Sequence, residues 1–297
     1  MRPAHGSHAV LLAAAILLTS ADAGLSASQI RPGIPKRIVS AFLCTDEYVF
    51  RLSPRNRIVA LSYLAADTHP VVSTIARAAK GIPGVRASAE QILALHPDLV
   101  VTYQNTNLRQ TNLVRDAGVP VLEVPWAQSL SDVRKVTRML GARFGANARA
   151  EALIRRMDLG LARARGGALR PPVRTLLYEP NGYVTSGGVT DEILAASGLQ
   201  NVGTGAYLTR SGTLPVEAVL TVAPELLILN GEHEEEPARA DLVLRHPALH
   251  ALSGHTFVAR TSLVPLLCPG PWSADVALPL AQWGRRARAL AAVHAGP

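Results

Sequence analysis

Cysteine is scarce in this sequence, and its scarcity excludes several classes of protein. Only Cys44 and Cys268 occur among the 297 residues, so neither a disulfide-rich scaffold nor a CxxC-type zinc or redox site can be built. Aromatic residues make up 4% and charged residues 18% of the chain, whereas hydrophobic residues make up 48%. This balance excludes a disordered or collagen-like protein and predicts a globular one with two lobes or one large domain.

Lysine is almost absent, although the chain is basic. The formal net charge is +8, yet lysine stands only at positions 36, 80 and 135, and the arginines are scattered along the chain. Nucleic-acid-binding proteins instead cluster basic side chains on one face and interleave aromatic ones. We therefore predict no nucleic-acid partner and at most a mild preference for anionic ligands.

The short motifs of several enzyme classes are missing as well. The sequence contains no G-x-S-x-G, no G-x-G-x-x-G, no phosphate-binding P-loop and no H-E-x-x-H, so we predict no enzymatic activity, no cofactor and no metal site. The alternative is a metal-dependent periplasmic enzyme that uses His and Glu residues of the second half. His246 and His250 are spaced for one helix face and His255 is near, but a structural helix is the favoured interpretation.

Long apolar runs are absent except near the N-terminus. Arg2 precedes an apolar run from Ala9 to Leu18, which Ala21-Asp22-Ala23 follows in a small-x-small pattern. This order is typical of a secretory signal peptide, because the run is too short to span a membrane. We predict a signal peptide over residues 1–23 and export from the cytoplasm. The cleavage point has no Cys that could carry a lipid anchor.

The rest of the chain alternates between strand and helix patterns, which predicts mostly parallel sheets covered on both faces. Two helices follow in the middle. The second is predicted to be capped by Asn147 and to run to about Arg165, which is roughly 28 Å at 1.5 Å per residue, before Gly and Pro residues at 166–172 mark a boundary. Predicted strands cover residues 37–43, 57–62, 99–102, 119–124 and 173–178, and predicted helices cover 45–52, 72–79, 88–96, 108–117 and 191–197.

An internal repeat relates the two halves. Glu90, Leu93, Pro97, Asp98 and Leu99 recur in order and spacing as a second set, and each set is followed by an apolar strand. The repeat predicts two related α/β lobes. The second set is Glu217, Leu220, Pro224, Glu225 and Leu226.

At these residues the chain resembles the periplasmic binding proteins of cobalamin and ferric-siderophore ABC importers, which have two lobes joined by one long helix. The resemblance covers almost the whole chain after residue 24. It implies an α/β fold of two Rossmann-like lobes with a ligand cleft between them. The expected divisions are residues 24–127, the linking helices 128–170, and residues 171–297.

The resemblance also implies a partner. In that family a glutamate on each lobe docks with arginines of the membrane permease, and these map onto Glu90 and Glu217. Exposed carboxylates related by pseudo-symmetry suit a dimeric partner; the alternative is that each only stabilises its helix. We expect a monomer that delivers a metal chelate, cobalamin-like or iron-siderophore-like, to an ABC permease dimer.

Ligands of open α/β sheets bind beyond the carboxyl ends of the strands, which selects the candidate ligand-binding residues. Aromatic residues are concentrated there, and their flat faces suit a macrocycle or chelate rim. The family often has Gly-Pro-Arg near the last helix, where this chain has Gly270-Pro271-Trp272 and lacks the charge. The candidates are Cys44, Thr45, Asp46, Tyr63, Tyr103, Trp126, Tyr183, Tyr207, His233 and Trp272.

The two cysteines fall one in each predicted lobe. A disulfide between them requires Cα atoms within about 7 Å and would clamp the lobes together. We expect free cysteines; a disulfide and a soft-metal pair are the alternatives.

Overall fold

The computed structural model describes residues 33–68, 71–86, 88–205, 208–231 and 239–294. The described residues from Ile34 onward form one compact unit, to which the following description applies. The predicted signal peptide, Tyr207 and His233 lie outside the described residues.

The first lobe is built on a parallel sheet of five strands in the order β3-β2-β1-β4-β5. Its inner strands β1 and β4 are buried along their whole length, as parallel strands covered on both faces are. The strands are β1 (Ile38–Ser40), β2 (Ile58–Ser62), β3 (Gly84–Val85), β4 (Leu99–Tyr103) and β5 (Val121–Val124), and the helices are α1 (Leu43–Leu52), α2 (Ala89–Leu93) and α3 (Leu108–Asp116).

Two helices, α4 (Leu130–Phe144) and α5 (Asn147–Arg165), connect the lobes. Ala150 near the start of α5 is buried in the core of the first lobe, whereas Met157 and Leu161 are buried in the core of the second. One face of this 19-residue helix therefore belongs to both cores. Helix α4 runs alongside α5 and also contributes to both cores.

The second lobe has a parallel sheet in the order β7-β6-β8-β9. The fold is thus two α/β lobes, as predicted. Its strands are β6 (Val173–Tyr178), β7 (Leu199–Asn201), β8 (Leu226–Asn230) and β9 (Phe257–Thr261), and its helices are α6 (Gly188–Ala196), α7 (Val216–Val222), α8 (Pro247–Ala251), α9 (Val264–Leu267) and α10 (Ala277–His294). Among the described residues, no helix is both long and apolar enough to span a membrane.

The internal repeat is visible in side-chain contacts at the amino-terminal edge of each sheet. Asp98 accepts hydrogen bonds from the backbone N–H groups of Lys36 (2.7 Å) and Arg37 (2.9 Å). In the second lobe Glu225 accepts one from the N–H of Arg174 at 2.9 Å. Arg37 in turn donates to the carbonyls of Leu95 and His96, just after α2, and Arg174 donates to the carbonyl of Val222 at the end of α7.

The two proline positions of the repeat also share a backbone conformation. The residues before them, His96 and Ala223, both have a left-handed φ, of 47° and 44°. This conformation is uncommon for residues other than glycine. Its recurrence supports a common origin of the two lobes.

Three sequence predictions of local structure need correction. The first strand ends at Ser40, and Leu43 already belongs to α1. The segment 72–79 forms turns and no helix; the Glu47 carboxylate binds Ser73 and Thr74 there and holds the chain in another path. Asn147 is the first residue of α5, and its cap position is occupied by Ala146.

The expectation of free cysteines is wrong. Cys44 and Cys268 form a disulfide, with Cα atoms 5.0 Å apart. The chain leaves the second lobe after α9 and returns to the first, so Cys268 and Trp272 are buried in the first-lobe core together with Cys44. A cysteine distant in sequence is thereby brought to the start of α1.

Candidate functional site

A cavity of about 470 Å³ lies at the carboxyl ends of strands β6, β8 and β9. Val71 and Val72 of the first lobe form one side of it, so the cavity lies between the lobes. Parallel sheets place ligand sites at this edge. From the second lobe it is lined by Glu179, Pro180, Asn181, Tyr183, Val184, Thr185, Asn230, Leu263, Val264, Leu266 and Leu267.

The second-lobe wall combines one carboxylate with an apolar surface. Glu179 accepts hydrogen bonds from the Thr185 hydroxyl and from Asn230 Nδ2, the latter at 3.4 Å. Asn230 Oδ1 accepts a hydrogen bond from the N–H of Leu263 at 3.5 Å. This bond holds the start of the apolar segment Leu263–Leu267. A few placed polar groups among apolar side chains are typical of small-molecule sites.

The first-lobe edge carries a cluster of three aromatic rings, Phe42, Tyr103 and Trp126, each at or just after the end of a strand. Trp126 stacks on Tyr103 with ring centroids 4.1 Å apart and an interplanar angle of 20°, and Phe42 contacts both rings edge-on. The Trp126 indole N–H donates to Gln104 O at 3.3 Å. Tyr103 is buried, but Trp126 is 41% exposed and presents its outer surface to solvent.

A second aromatic position follows strand β2. Tyr63 is 45% exposed, and the Arg86 guanidinium lies 4.5 Å from its ring centroid. A cation over a ring face is attracted by the quadrupole of the ring. Tyr63 and Arg86 therefore form a mixed aromatic and cationic surface at the carboxyl ends of β2 and β3.

The structure brings three predicted candidates to the strand ends as accessible surfaces: Tyr63, Trp126 and Tyr183, of which the last is 48% exposed. Tyr183 lines the interlobe cavity. Tyr103 supports Trp126 from beneath. Tyr63, Trp126 and Tyr183 remain the candidate ligand contacts, whereas Tyr103 is buried and can act only through Trp126.

Four other predicted candidates are buried, which corrects the sequence prediction. Cys44 is in the disulfide, and Thr45 and Asp46 have no exposed surface because the first turn of α1 points into the lobe. Trp272 packs edge-on against Tyr48 at 4.8 Å, beneath the Arg51 guanidinium. None of these side chains can contact a ligand in the cleft directly.

The two predicted docking glutamates are exposed on the short helices α2 and α7. In the first lobe, Ser88 caps α2 by accepting from the N–H of Gln91 at 3.4 Å, as the sequence predicts. Within the described part of the chain, neither Glu90 nor Glu217 uses its carboxylate in a hydrogen bond or ion pair. Both are therefore available to a partner.

The second-lobe histidines whose side chains the structure describes, His246 and His255, belong to no metal-binding group. His246 Nδ1 accepts from the N–H of Ala248 at 3.2 Å, so it caps α8. The described residues contain no group of three or more His, Cys, Asp or Glu side chains placed to hold a metal ion.

Sequence reasoning missed Glu179, Asn230 and the apolar segment Leu263–Leu267. Glu179 and Asn230 directly follow or end apolar strands, so the strand-end rule that selected the aromatic residues would have selected them too. The apolar segment has no comparable signal, because it resembles an ordinary core helix.

The sequence model of a family described as periplasmic binding protein matches residues 68–255. The chain belongs to this family, whose members bind substrates, and family membership supports the prediction that it is not an enzyme. An uncharacterized ABC transporter substrate-binding lipoprotein of Bacillus subtilis is 29% identical over 130 residues. That match covers 43% of this chain and 40% of the relative.

Solved structures share the fold at low sequence identity. The periplasmic heme-binding protein RhuT from Roseiflexus has a TM-score of 0.66 and 24% identity, over 85% of this chain and 98% of that one. The periplasmic vitamin B12 binding protein BtuF of Vibrio cholerae has a TM-score of 0.64 and 16% identity, over 86% and 98%. A protein of an Fe3+-hydroxamate transport system from Saccharomonospora viridis has a TM-score of 0.63 and 20% identity, over 84% and 93%.

Proposed function

We propose that this protein is the periplasmic receptor of an ABC importer and that it captures a metal chelate with a flat ring between its two lobes. The observation that carries the proposal is the Trp126 ring, which stacks on buried Tyr103 and is 41% exposed. A rigid aromatic platform of this kind suits a macrocycle, because stacking needs no ordering of flexible side chains on binding.

The second-lobe lining of the interlobe cavity fits the same class of ligand. Leu263, Val264 and Leu267 offer apolar contacts, and Glu179 offers one acceptor. Tyr63 with Arg86 adds a cationic edge on the first lobe. Corrinoids and haem, the flat chelates of structural neighbours, combine an apolar macrocycle with polar edge groups. An iron siderophore, which has no flat ring, is the alternative ligand, and stabilisation by ferrichrome alone would favour it over a macrocycle.

The test is a thermal-shift screen with haemin, cyanocobalamin and ferrichrome, because a ligand that binds only the folded state raises the melting temperature. We expect one chelate to stabilise the protein. Trp126→Ala should weaken its affinity about tenfold or more, whereas Trp283→Phe, which alters a second-lobe core tryptophan, should not. Absence of any shift, or equal effects of the two substitutions, would contradict the proposal.

We propose that the receptor is a monomer and is exported through the signal peptide at residues 1–23. It docks on a permease dimer through Glu90 and Glu217. The proposed first lobe spans residues 24–127, the linking helices span 128–170, and the second lobe spans 171–297. Residues 268–272 are the exception, because they return to the first lobe.

Uptake of the chelate by cells tests the docking role. Glu90→Lys and Glu217→Lys should each reduce uptake strongly and leave chelate affinity unchanged, because an introduced cation repels arginines on the partner. Asp116→Lys makes the same charge change at another exposed helix position of the first lobe and serves as the control. Loss of chelate binding in either Glu variant would contradict the assigned role.

A further inference from the structure

Asp46 is a fully buried carboxyl group that does not reach the cleft. It lies in the first turn of α1 and accepts two hydrogen bonds from Ser62, one from the backbone N–H at 3.0 Å and a short one from the hydroxyl. The two residues are 16 positions apart in sequence. The carboxylate therefore ties a helix to the end of a neighbouring strand.

The place of that tie is informative. Ser62 is the last residue of β2 and also the N-cap of the short 3-10 turn Tyr63–Ala66. The Asp46 carboxylate thus binds the backbone at the point where the chain leaves the sheet, one residue before the exposed ring of Tyr63.

Tyr63 is confined from the other side as well. A Cβ atom added at Gly84 would lie 3.0 Å from the Tyr63 Cα, so the backbone just after β2 is in close contact with the start of β3. The Arg86 guanidinium covers one face of the ring. The ring is accessible although its backbone is held on both sides.

Packing alone does not require an acid at position 46. Burial raises the pKa of Asp46 to about 7, although hydrogen bonds from Ser40 and Ser62 act in the opposite direction, and nearby Glu47 raises it slightly further. A buried carboxyl group is costly unless its hydrogen bonds are used. Both hydrogen bonds between Asp46 and β2 are made to Ser62, the residue next to Tyr63.

We propose that Asp46 is a positioning residue for ligand binding, which acts by holding Ser62 and thereby the Tyr63 ring in the orientation that a chelate contacts. The proposal rests on the proposed function for the contact between Tyr63 and the chelate. The structural tie itself does not depend on the ligand.

A double-mutant cycle tests the action through Tyr63. The probe is whichever of haemin, cyanocobalamin and ferrichrome gives the largest thermal shift. We expect Asp46→Ala to weaken its affinity about tenfold when Tyr63 is present and less than about twofold in the Tyr63→Ala background. Equal weakening in both backgrounds, or none in either, would overturn the proposal.

Rescue by a conservative variant separates positioning from charge. In Asp46→Asn the amide oxygen can accept from the N–H of Ser62 while the amide nitrogen donates to its hydroxyl. We expect this variant to keep the affinity within about threefold of the wild type. Thr137→Val removes another buried hydroxyl of the first lobe, far from β2 in sequence, and controls for general destabilisation.

A ligand-free measurement keeps the proposal separate from the proposed function. With 3-fluorotyrosine incorporated, the ¹⁹F signal of Tyr63, identified by its loss in Tyr63→Phe, should shift or broaden in Asp46→Ala and return in Asp46→Asn. An unchanged signal in Asp46→Ala contradicts the positioning role. If the wild-type protein binds none of the three chelates, the proposed function fails, and the ¹⁹F result alone decides the role of Asp46.

Discussion

The two lobes carry the same three residues, Thr-Asp-Glu, in the helix between their first and second strands, yet they bury them differently. In α1 the triplet is Thr45-Asp46-Glu47, and all three side chains are buried. In α6 it is Thr190-Asp191-Glu192, of which only Thr190 is buried.

The middle residue makes the same kind of contact in both lobes, a hydrogen bond from its helix to the end of the neighbouring strand. Asp46 binds Ser62 at the end of β2, and Asp191 accepts from Asn201 Nδ2 at 2.7 Å at the end of β7. The last residue differs. Glu47 is enclosed by Ser73, Thr74 and Arg51, whereas exposed Glu192 accepts from the N–H of Leu130 at 2.8 Å.

The difference shows that the same three residues can make their hydrogen bonds in the core or at the surface. Which of the two occurs depends on the segments that pack over them. In the first lobe the cover is the segment 71–82 and the returning chain at Cys268–Trp272. The described residues of the second lobe place no such cover over Glu192. Four measurements can break or sharpen this comparison.

The largest effect is expected at the last residue of the triplets. Glu47→Ala leaves the Ser73 and Thr74 groups and Arg51 without their acceptor, and it should lower the free energy of unfolding by about 4 kcal/mol. Glu192→Ala removes one exposed acceptor at the start of α4 and should cost about 1 kcal/mol. Urea unfolding of both variants measures the difference, and similar costs would contradict the distinction.

The disulfide is expected to matter next, because it fastens the returning chain over the first-lobe triplet. Replacing both Cys44 and Cys268 with serine should cost about 3 kcal/mol of stability, a typical value for the loss of one disulfide. Amide hydrogen exchange should accelerate around α1 more than around α6. Equal acceleration at both triplets would show that the bond stabilises the lobes without distinction.

The buried aspartate should give the first lobe a pH dependence. Its pKa of about 7 in the folded protein lies above its ordinary value of 3.8, so the folded chain keeps a proton that the unfolded chain releases. This contribution is present at low pH and is lost as the pH rises through 7. Between pH 5 and 8 it should remove about 3 kcal/mol of stability, at about 1.4 kcal/mol per pH unit below 7.

Asp46→Asn provides the comparison for that measurement. Its unfolding free energy should lack this particular decline, because the amide does not titrate. The difference between wild type and variant isolates the group, since the other titrating residues contribute to both. Parallel pH curves for the two proteins would contradict the raised pKa.

The smallest effect concerns the left-handed residues before the paired prolines. Ala223→Gly should raise stability by about 0.5 kcal/mol, because glycine adopts positive φ without strain but loses more entropy on folding. Ala218→Gly, inside α7, is the control and should lower stability by about 1 kcal/mol. Destabilisation by Ala223→Gly would mean that its methyl group outweighs the strain.

The paired lobes could be predicted from sequence because the repeat around Glu90 and Glu217 carries its own local determinants. Each copy has a helix start, a proline that ends the helix, an acid that binds the backbone below the sheet, and an apolar strand. All of these act over a few residues. The long helix was predictable for the same reason, from one apolar face of regular period.

The disulfide and the burial of Asp46 could not be predicted in this way. Cys44 and Cys268 are 224 residues apart, and their meeting depends on the path of the chain after β9. Asp46 follows a strand end, which is where both cleft residues and core residues occur. Only the cover supplied by distant segments decides between them, and no local pattern records that cover.

Helix α5 has a consequence for how such receptors can vary in length. Its first half is embedded in one lobe and its second half in the other, and each residue of an α-helix adds about 100° of rotation and 1.5 Å of rise. A single residue inserted midway would therefore turn one lobe far out of line with its neighbour. Changes in chain length are therefore tolerated in surface loops, whereas the number of residues in α5 stays constant.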